Sequence, residues 1–91
     1  MKNIDNRIMN FLDKIKPGDQ FKFFNSKIIF VYLGKGNYRR VTKGMNVDKT
    51  FLPIYKLTEE TIKNIRSVFD PKRKIQLGKK ENREDIFTWR F

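Results

Sequence analysis

The stretch QFKFFNSKIIFVYLGKGNYRRVTK, residues 20–43, decides the fold of this chain. Its middle segment, Ile28–Leu33, is a run of six apolar residues rich in β-branched and aromatic side chains, which favours a strand over a helix. Asn25-Ser26 precedes it and Gly34-Lys35-Gly36-Asn37 follows it, and both combinations are typical of tight hairpin turns. The stretch therefore predicts a three-stranded antiparallel meander with Ile28–Leu33 at its centre.

The two turns also predict the register of the strands, because the turn position fixes which residues face each other. One turn is placed at Asn25-Ser26 and the other is centred on Lys35-Gly36. The predicted pairs are Phe24 with Lys27, Phe23 with Ile28, Phe21 with Phe30, Leu33 with Tyr38, Tyr32 with Arg39, Val31 with Arg40, and Phe30 with Val41.

Alternation of side chains along each strand divides the meander into two predicted faces. The first is a core face, made of Phe21, Phe23, Ile28, Phe30, Tyr32 and Val41. The second mixes apolar, aromatic and cationic groups and is made of Lys22, Phe24, Ile29, Val31, Leu33, Tyr38, Arg40 and Thr42. This second face is expected either to be covered by a helix or to bind a ligand.

Two helices are predicted on either side of the meander. Asn3–Lys16 carries apolar residues at helical spacing and ends at Pro17-Gly18, so it is expected to pack on the core face. A second helix is predicted to begin at Thr58, whose hydroxyl can cap it, and to end at Asp70-Pro71. Its apolar residues are Ile62, Ile65, Val68 and Phe69.

Three further segments have strand character. Phe51–Leu57 contains a proline and is predicted as an edge strand. Lys72–Leu77 and Ile86–Phe91 are predicted to form a C-terminal β-hairpin, with Trp89 in the core. The expected fold is a single small α+β domain over residues 1–91: an N-terminal helix, an antiparallel meander of three to four strands, a second helix and the hairpin.

Composition excludes several classes of protein. The 91-residue chain has no cysteine and no histidine, so thiolate or histidine zinc sites and histidine-based triads are excluded. It has no apolar run near the roughly 20 residues that cross a bilayer, and its N-terminus lacks the apolar stretch of a signal peptide. We therefore expect a soluble intracellular protein in the cytoplasm, or in the host cytoplasm if it is phage-encoded, without a membrane partner.

Net charge is the strongest functional signal. The formal charge is +11, which predicts binding to nucleic acid or to an acidic protein surface. Two blocks are most basic: residues 35–49 have five Lys or Arg against one Asp, and residues 71–91 have seven against three acids. The candidate binding residues are Lys35, Tyr38, Arg39, Arg40, Lys43, Lys72, Arg73, Lys74, Lys79 and Lys80. Coding DNA poor in G and C is the alternative explanation for part of the lysine excess.

Each basic block has a functional and a structural interpretation. Tyr38 and Arg40 share the predicted mixed face, where the ring can stack on a base and the cation can bind phosphate. The structural alternative is that Tyr38 only shields Leu33. Lys72-Arg73-Lys74, together with Lys79 and Lys80, can form a phosphate clamp, or can be a solvated turn after a helix.

Catalysis is not expected. Metal-dependent nucleases need two or three convergent carboxylates, and the only tight acidic group, Glu81, Glu84 and Asp85, lies in a lysine-rich connection where charge balance explains it. Gly34-Lys35-Gly36 lacks the further residues of a phosphate-binding loop. No enzymatic activity, metal or cofactor is therefore predicted.

Two functions follow from these observations. The first is a non-catalytic module that binds RNA or single-stranded DNA through a Lys/Arg-rich β surface. The second is a small inhibitor or adaptor that docks on an acidic host protein or nucleoprotein enzyme. In size and composition the chain resembles phage-encoded proteins that disable host machinery, including anti-CRISPR inhibitors.

Overall fold

The computed structural model describes residues 6–41 and 52–80. These residues form two helices and one antiparallel sheet of six strands in the spatial order β4-β3-β2-β1-β5-β6. In chain order the elements are α1 (Asn6–Lys14), β1 (Gln20–Phe23), β2 (Ile29–Gly34), β3 (Asn37–Arg40), β4 (Tyr55–Lys56), α2 (Glu59–Lys63), β5 (Ile65–Asp70) and β6 (Ile75–Lys79). The predicted α+β class, with an N-terminal helix and a meander, is confirmed.

One face of the sheet packs against α1 to form the core. The apolar stripe of α1 is buried as predicted, through Ile8 and Phe11, with Ile15 just beyond the helix. The buried cluster is completed by Phe21, Tyr32, Tyr38, Ile62, Ile65 and Val68. Burying this stripe removes apolar surface from water and holds a nine-residue helix that is too short to be stable alone.

The first hairpin has the predicted register but a wider turn. Phe21 lies opposite Phe30, as predicted. The connection is longer than a two-residue turn at Asn25-Ser26, because β1 ends at Phe23 and β2 begins only at Ile29. Ile28, predicted on the core face, lies in this connection and is exposed.

The predicted register of the second hairpin is wrong by one residue. The turn is centred on Lys35-Gly36 as expected, with φ values of 54° and 79°. However, the pairing is irregular between Tyr32 and Gly34, and one extra residue, Leu33, is inserted there. Tyr32 therefore lies opposite Tyr38 rather than Arg39. A shift of one residue moves every β3 side chain to the face opposite the predicted one.

The second helix is shorter than predicted, and its second half is a strand. The Thr58 hydroxyl accepts the Thr61 backbone N–H at 3.2 Å, so Thr58 caps α2 as expected. The chain then leaves the helix at Asn64 and enters β5. A bulge in the β1–β5 pairing places Ile65 and Val68 on one face at a spacing of three, which mimics a helical stripe.

The remaining strands differ in their bounds and partners. β4 is an edge strand, as predicted for Phe51–Leu57. β6 lies at the other edge, and its hairpin partner is β5 rather than the predicted Ile86–Phe91. That predicted strand, with Trp89, lies outside the described residues.

In the described part of the chain, no helix has the length and apolar character needed to cross a membrane.

The sheet surface opposite α1 is called the back face below. Strand pairing and alternation assign it Gln20, Lys22, Ile29, Val31, Arg39, Val41, Ser67, Phe69, Gln76 and Lys79. Val41, predicted on the core face, is among them because its N–H bonds to the carbonyl of Ile29 beyond the end of β3.

Candidate functional site

The back face is organised in two rows that cross the sheet. The first row runs through directly paired residues, Arg39, Val31, Gln20, Phe69 and Gln76. The second row lies two residues further along β2, β1 and β5 and three residues further along β6, and it contains Ile29, Lys22, Ser67 and Lys79. Because the rows cross the strands, they bring together side chains that are far apart in sequence.

All the ionisable groups on the described back face are cations. Lys22, Arg39 and Lys79 form no ion pair with any described residue. Two cations elsewhere in the described ranges do form ion pairs, Lys63 with Glu59 at 3.4 Å and Arg73 with Asp70 at 2.8 Å. A set of cations without a neighbouring carboxylate produces a positive potential that attracts polyanions.

A shallow concavity of 310 Å³ lies in the middle of this surface. Its lining residues are Gln20, Phe21, Lys22, Ile29, Ser67, Phe69 and Gln76. Phe69 is 37% exposed. The concavity therefore combines an accessible ring, two amides, a hydroxyl and a cation, which suits a ligand that has both a flat apolar part and a negative charge.

Of the predicted binding residues, the structure places Arg39 and Lys79 on the back face and Tyr38 in the core. Tyr38 is 6% exposed, and its ring contacts Phe21 edge-to-face at 5.3 Å between centroids. Burial, with a smaller contribution from Tyr55, raises the pKa of the Tyr38 hydroxyl. Tyr38 and Arg40 share a face as predicted, but it is the core side rather than the predicted mixed face, because the inserted Leu33 turns both side chains over.

Lys80 is buried rather than available to a ligand. Its side chain is 1% exposed, and its ammonium group donates to the backbone carbonyl of Lys63 at the end of α2. It also lies 5.7 Å from the ring centroid of Phe24. A cation at the C-terminal end of a helix is stabilised by the helix dipole, so Lys80 has a structural role.

The β2–β3 and β5–β6 turns lie at the same end of the sheet, because β2 and β5 run in the same direction. This brings Lys35 to the same end as Lys72, Arg73 and Lys74, about 14 Å apart across three strand spacings. Arg73 is bonded to Asp70 at 2.8 Å, and this bond lowers the pKa of Asp70.

The predicted clamp of Lys72–Lys74 with Lys79 and Lys80 is not assembled. Lys79 is the last residue of β6, at the strand end away from the turn that carries the other cations. Arg40 is exposed and lies on the α1 side of the sheet, whereas Lys43 lies outside the described residues. The predicted residues are thus divided between the back face, the turn end and the interior.

A second concavity lies on the α1 side, between the first hairpin and α2. Its volume is 250 Å³, and its lining residues are Phe23, Asn25, Ser26, Tyr38, Thr61 and Asn64. No charged side chain lines it, so it is less suited than the back face to a polyanion. No group of three potential metal-binding side chains is present in the described ranges.

Sequence reasoning missed five of the back-face residues as binding candidates: Gln20, Lys22, Ser67, Phe69 and Gln76. Lys22 was placed on the correct face but outside the two basic blocks. Ser67 and Phe69 were missed because their strand was read as a helix. The alternation of Ser67 and Phe69 with the apolar Val68 is the signal that identifies them, since the three residues pair with Lys22, Gln20 and Phe21 of β1.

Comparisons of the chain with known protein families, with curated proteins and with solved structures find no match.

Proposed function

We propose that this protein is a non-catalytic module that binds RNA or single-stranded DNA on the back face of its sheet. The observation that supports this most strongly is that Lys22, Arg39 and Lys79 share the back face with the exposed residue Phe69, with no carboxylate on the described part of that surface. Phosphates are attracted by the cations, and an unpaired base can stack on the ring.

A single strand suits this surface better than a duplex. Reading a duplex in its major groove generally requires a basic helix or a β-ribbon that projects into the groove. The back face is instead a broad sheet surface, and bases splayed from a single strand can reach it directly. We place this activity in the cytoplasm, or in the host cytoplasm if the protein is phage-encoded.

The proposal is tested by measuring affinity for short single-stranded RNA and DNA over about 50 to 200 mM salt. Each phosphate that is neutralised on a single strand contributes about −0.7 to the slope of log affinity against log salt, so three cations predict a slope near −2. Fluorescence anisotropy with a labelled oligonucleotide gives both the affinity and the slope.

Two triple variants with the same change in net charge locate the surface. Lys22→Gln/Arg39→Gln/Lys79→Gln removes the back-face cations, and Lys35→Gln/Lys72→Gln/Lys74→Gln removes three exposed cations at the turn end. The first variant should lose most of the affinity and of the salt slope, and the second should keep most of both. Affinity independent of salt, or equal losses in the two variants, would contradict the proposal.

A different outcome would distinguish the alternative function, an inhibitor or adaptor that docks on an acidic protein, from nucleic-acid binding. A nucleic-acid-binding module should lose its partner when the purified complex is treated with nuclease. Recovery of one stoichiometric protein partner after that treatment, with no affinity for oligonucleotides, would overturn the proposal in favour of protein docking.

A further inference from the structure

Phe69 is flanked on both sides by an amide in the first row of the back face. Gln20 on β1 and Gln76 on β6 are its direct cross-strand partners. Neighbouring strands are about 4.8 Å apart, so the two glutamines flank Phe69. The Gln76 amide donates to the Gly78 carbonyl at 3.4 Å, which leaves its oxygen and second N–H for a ligand. A side-chain amide offers both donors and an acceptor, which are the groups that contact the edges of a nucleobase.

The second row repeats this pattern with cations. Ser67 has Lys22 and Lys79 as its direct partners, on the same two strands that carry the amides. A hydroxyl between two ammonium groups is suited to a phosphate, since it adds a hydrogen-bond donor to two positive charges. The two rows are two residues apart along β1 and β5, about 6.7 Å, and a bulge adds one residue between them on β6.

We propose that these two rows form a subsite for one unpaired nucleotide of the bound strand. The base stacks on Phe69 with its edges against Gln20 and Gln76, and the adjoining phosphate lies between Lys22 and Lys79. This inference rests on the proposed function, and it deepens it by assigning the aromatic contact to a single residue. The 310 Å³ concavity over Phe69 is where the base and its sugar are placed.

The test compares Phe69→Ala with Tyr55→Ala, an exposed aromatic residue on the far edge strand that does not line the concavity. Stacking on an aromatic side chain is worth about 1–3 kcal/mol per base, so Phe69→Ala should weaken binding of an oligonucleotide of about eight nucleotides by roughly 5- to 150-fold. The salt slope should remain that of the wild type, because the phosphate contacts are unchanged. Tyr55→Ala should bind like the wild type.

An oligonucleotide without bases gives the second arm. Wild type and Phe69→Ala should bind this abasic strand equally, because the ring then has nothing to stack on. Phe69→Trp should restore affinity for the normal strand, and Phe69→Leu should not. Circular dichroism checks that each variant is folded.

A free nucleoside monophosphate should compete only weakly with the strand. If it competes as well as the strand does, the assignment of the subsite to a strand is overturned.

Different outcomes would contradict the nucleotide subsite and the proposed nucleic-acid binding. If Phe69→Ala binds the normal strand as tightly as the wild type with the same salt slope, the nucleotide subsite is wrong and the proposed function stands. If the wild type binds no strand in a salt-dependent way, the proposed function fails and the subsite fails with it.

Discussion

Asp19 is a buried carboxyl group at the start of the sheet. It is 5% exposed, and its carboxylate accepts the backbone N–H of Lys16 at 2.9 Å, which holds the turn between α1 and β1. Burial is the largest influence on its pKa and raises it, and the nearby charge of Asp70 raises it further. The hydrogen bond from Lys16 and the charges of Arg73 and Lys16 oppose this rise without cancelling it.

A raised carboxyl pKa means that the ionised form of Asp19 destabilises the folded state, because the folded protein holds the proton more tightly than the unfolded chain. Asp19→Asn keeps an oxygen for the Lys16 N–H and removes the charge. It should therefore stabilise the protein at about pH 7, and this advantage should shrink as the pH falls through the folded pKa toward the ordinary Asp value of about 3.9.

Urea unfolding at a series of pH values measures this change, with the low-pH difference between the two proteins as the internal reference. A variant that is less stable than the wild type at neutral pH and equal to it in acid would show that ionised Asp19 contributes favourably.

Among the helices and strands, the central strand and the second hairpin turn were predictable, and the bulges were not. The apolar run of β2 and the Lys35-Gly36 turn have clear sequence signals, and both lie where they were predicted. The extra residue Leu33 has no such signal, since it is one apolar residue among six. Its insertion alone reversed the assignment of Tyr38 and Arg39 to the two faces.

The bulge between β1 and β5 had a larger effect on the prediction. It separates Ile65 and Val68 by three residues on one face, so local spacing favours a helix, whereas pairing with β1 stabilises a strand. Non-local pairing of this kind is not visible in a local pattern. For this reason Ser67 and Phe69 of β5 were missed, while the cations of the two basic blocks were found by composition.

Glycines at positive φ provide a test of how the elements meet. Gly18 and Gly34 have nearly equal φ values of 97° and 98°. A Cβ at Gly18 meets nothing within 4 Å, but a Cβ at Gly34 lies 3.2 Å from the Cγ of Pro17. Gly18→Ala should cost about 1–2 kcal/mol through its left-handed backbone alone, and Gly34→Ala should cost more because the hairpin must also move away from Pro17.

Urea midpoints of the two alanine variants compare these costs directly. Equal destabilisation would mean that the contact between the β2–β3 turn and Pro17 relaxes without loss, and the close approach of these two segments would then contribute nothing to the fold.

On the scale of the whole molecule, the charge is divided among surfaces with different roles. Lys80 is used inside the fold, Arg73 is paired with Asp70, and the exposed turn cations lie together at one end of the sheet. The back face combines cations with an exposed ring and a concavity that a cation lines. Net charge is the basis for proposing a polyanionic ligand, and the strand order indicates which surface is suited to it.

The most direct test of the back face is NMR of the side-chain amide groups while a short single-stranded oligonucleotide is added. The chain offers two pairs of probes for comparison. Gln20 and Gln76 line the back-face concavity, and Asn25 and Asn64 line the concavity on the α1 side. We predict that the signals of both glutamines shift with saturation and that those of both asparagines stay in place. Shifts confined to the asparagines, or unchanged glutamine signals at saturating oligonucleotide, would contradict the account.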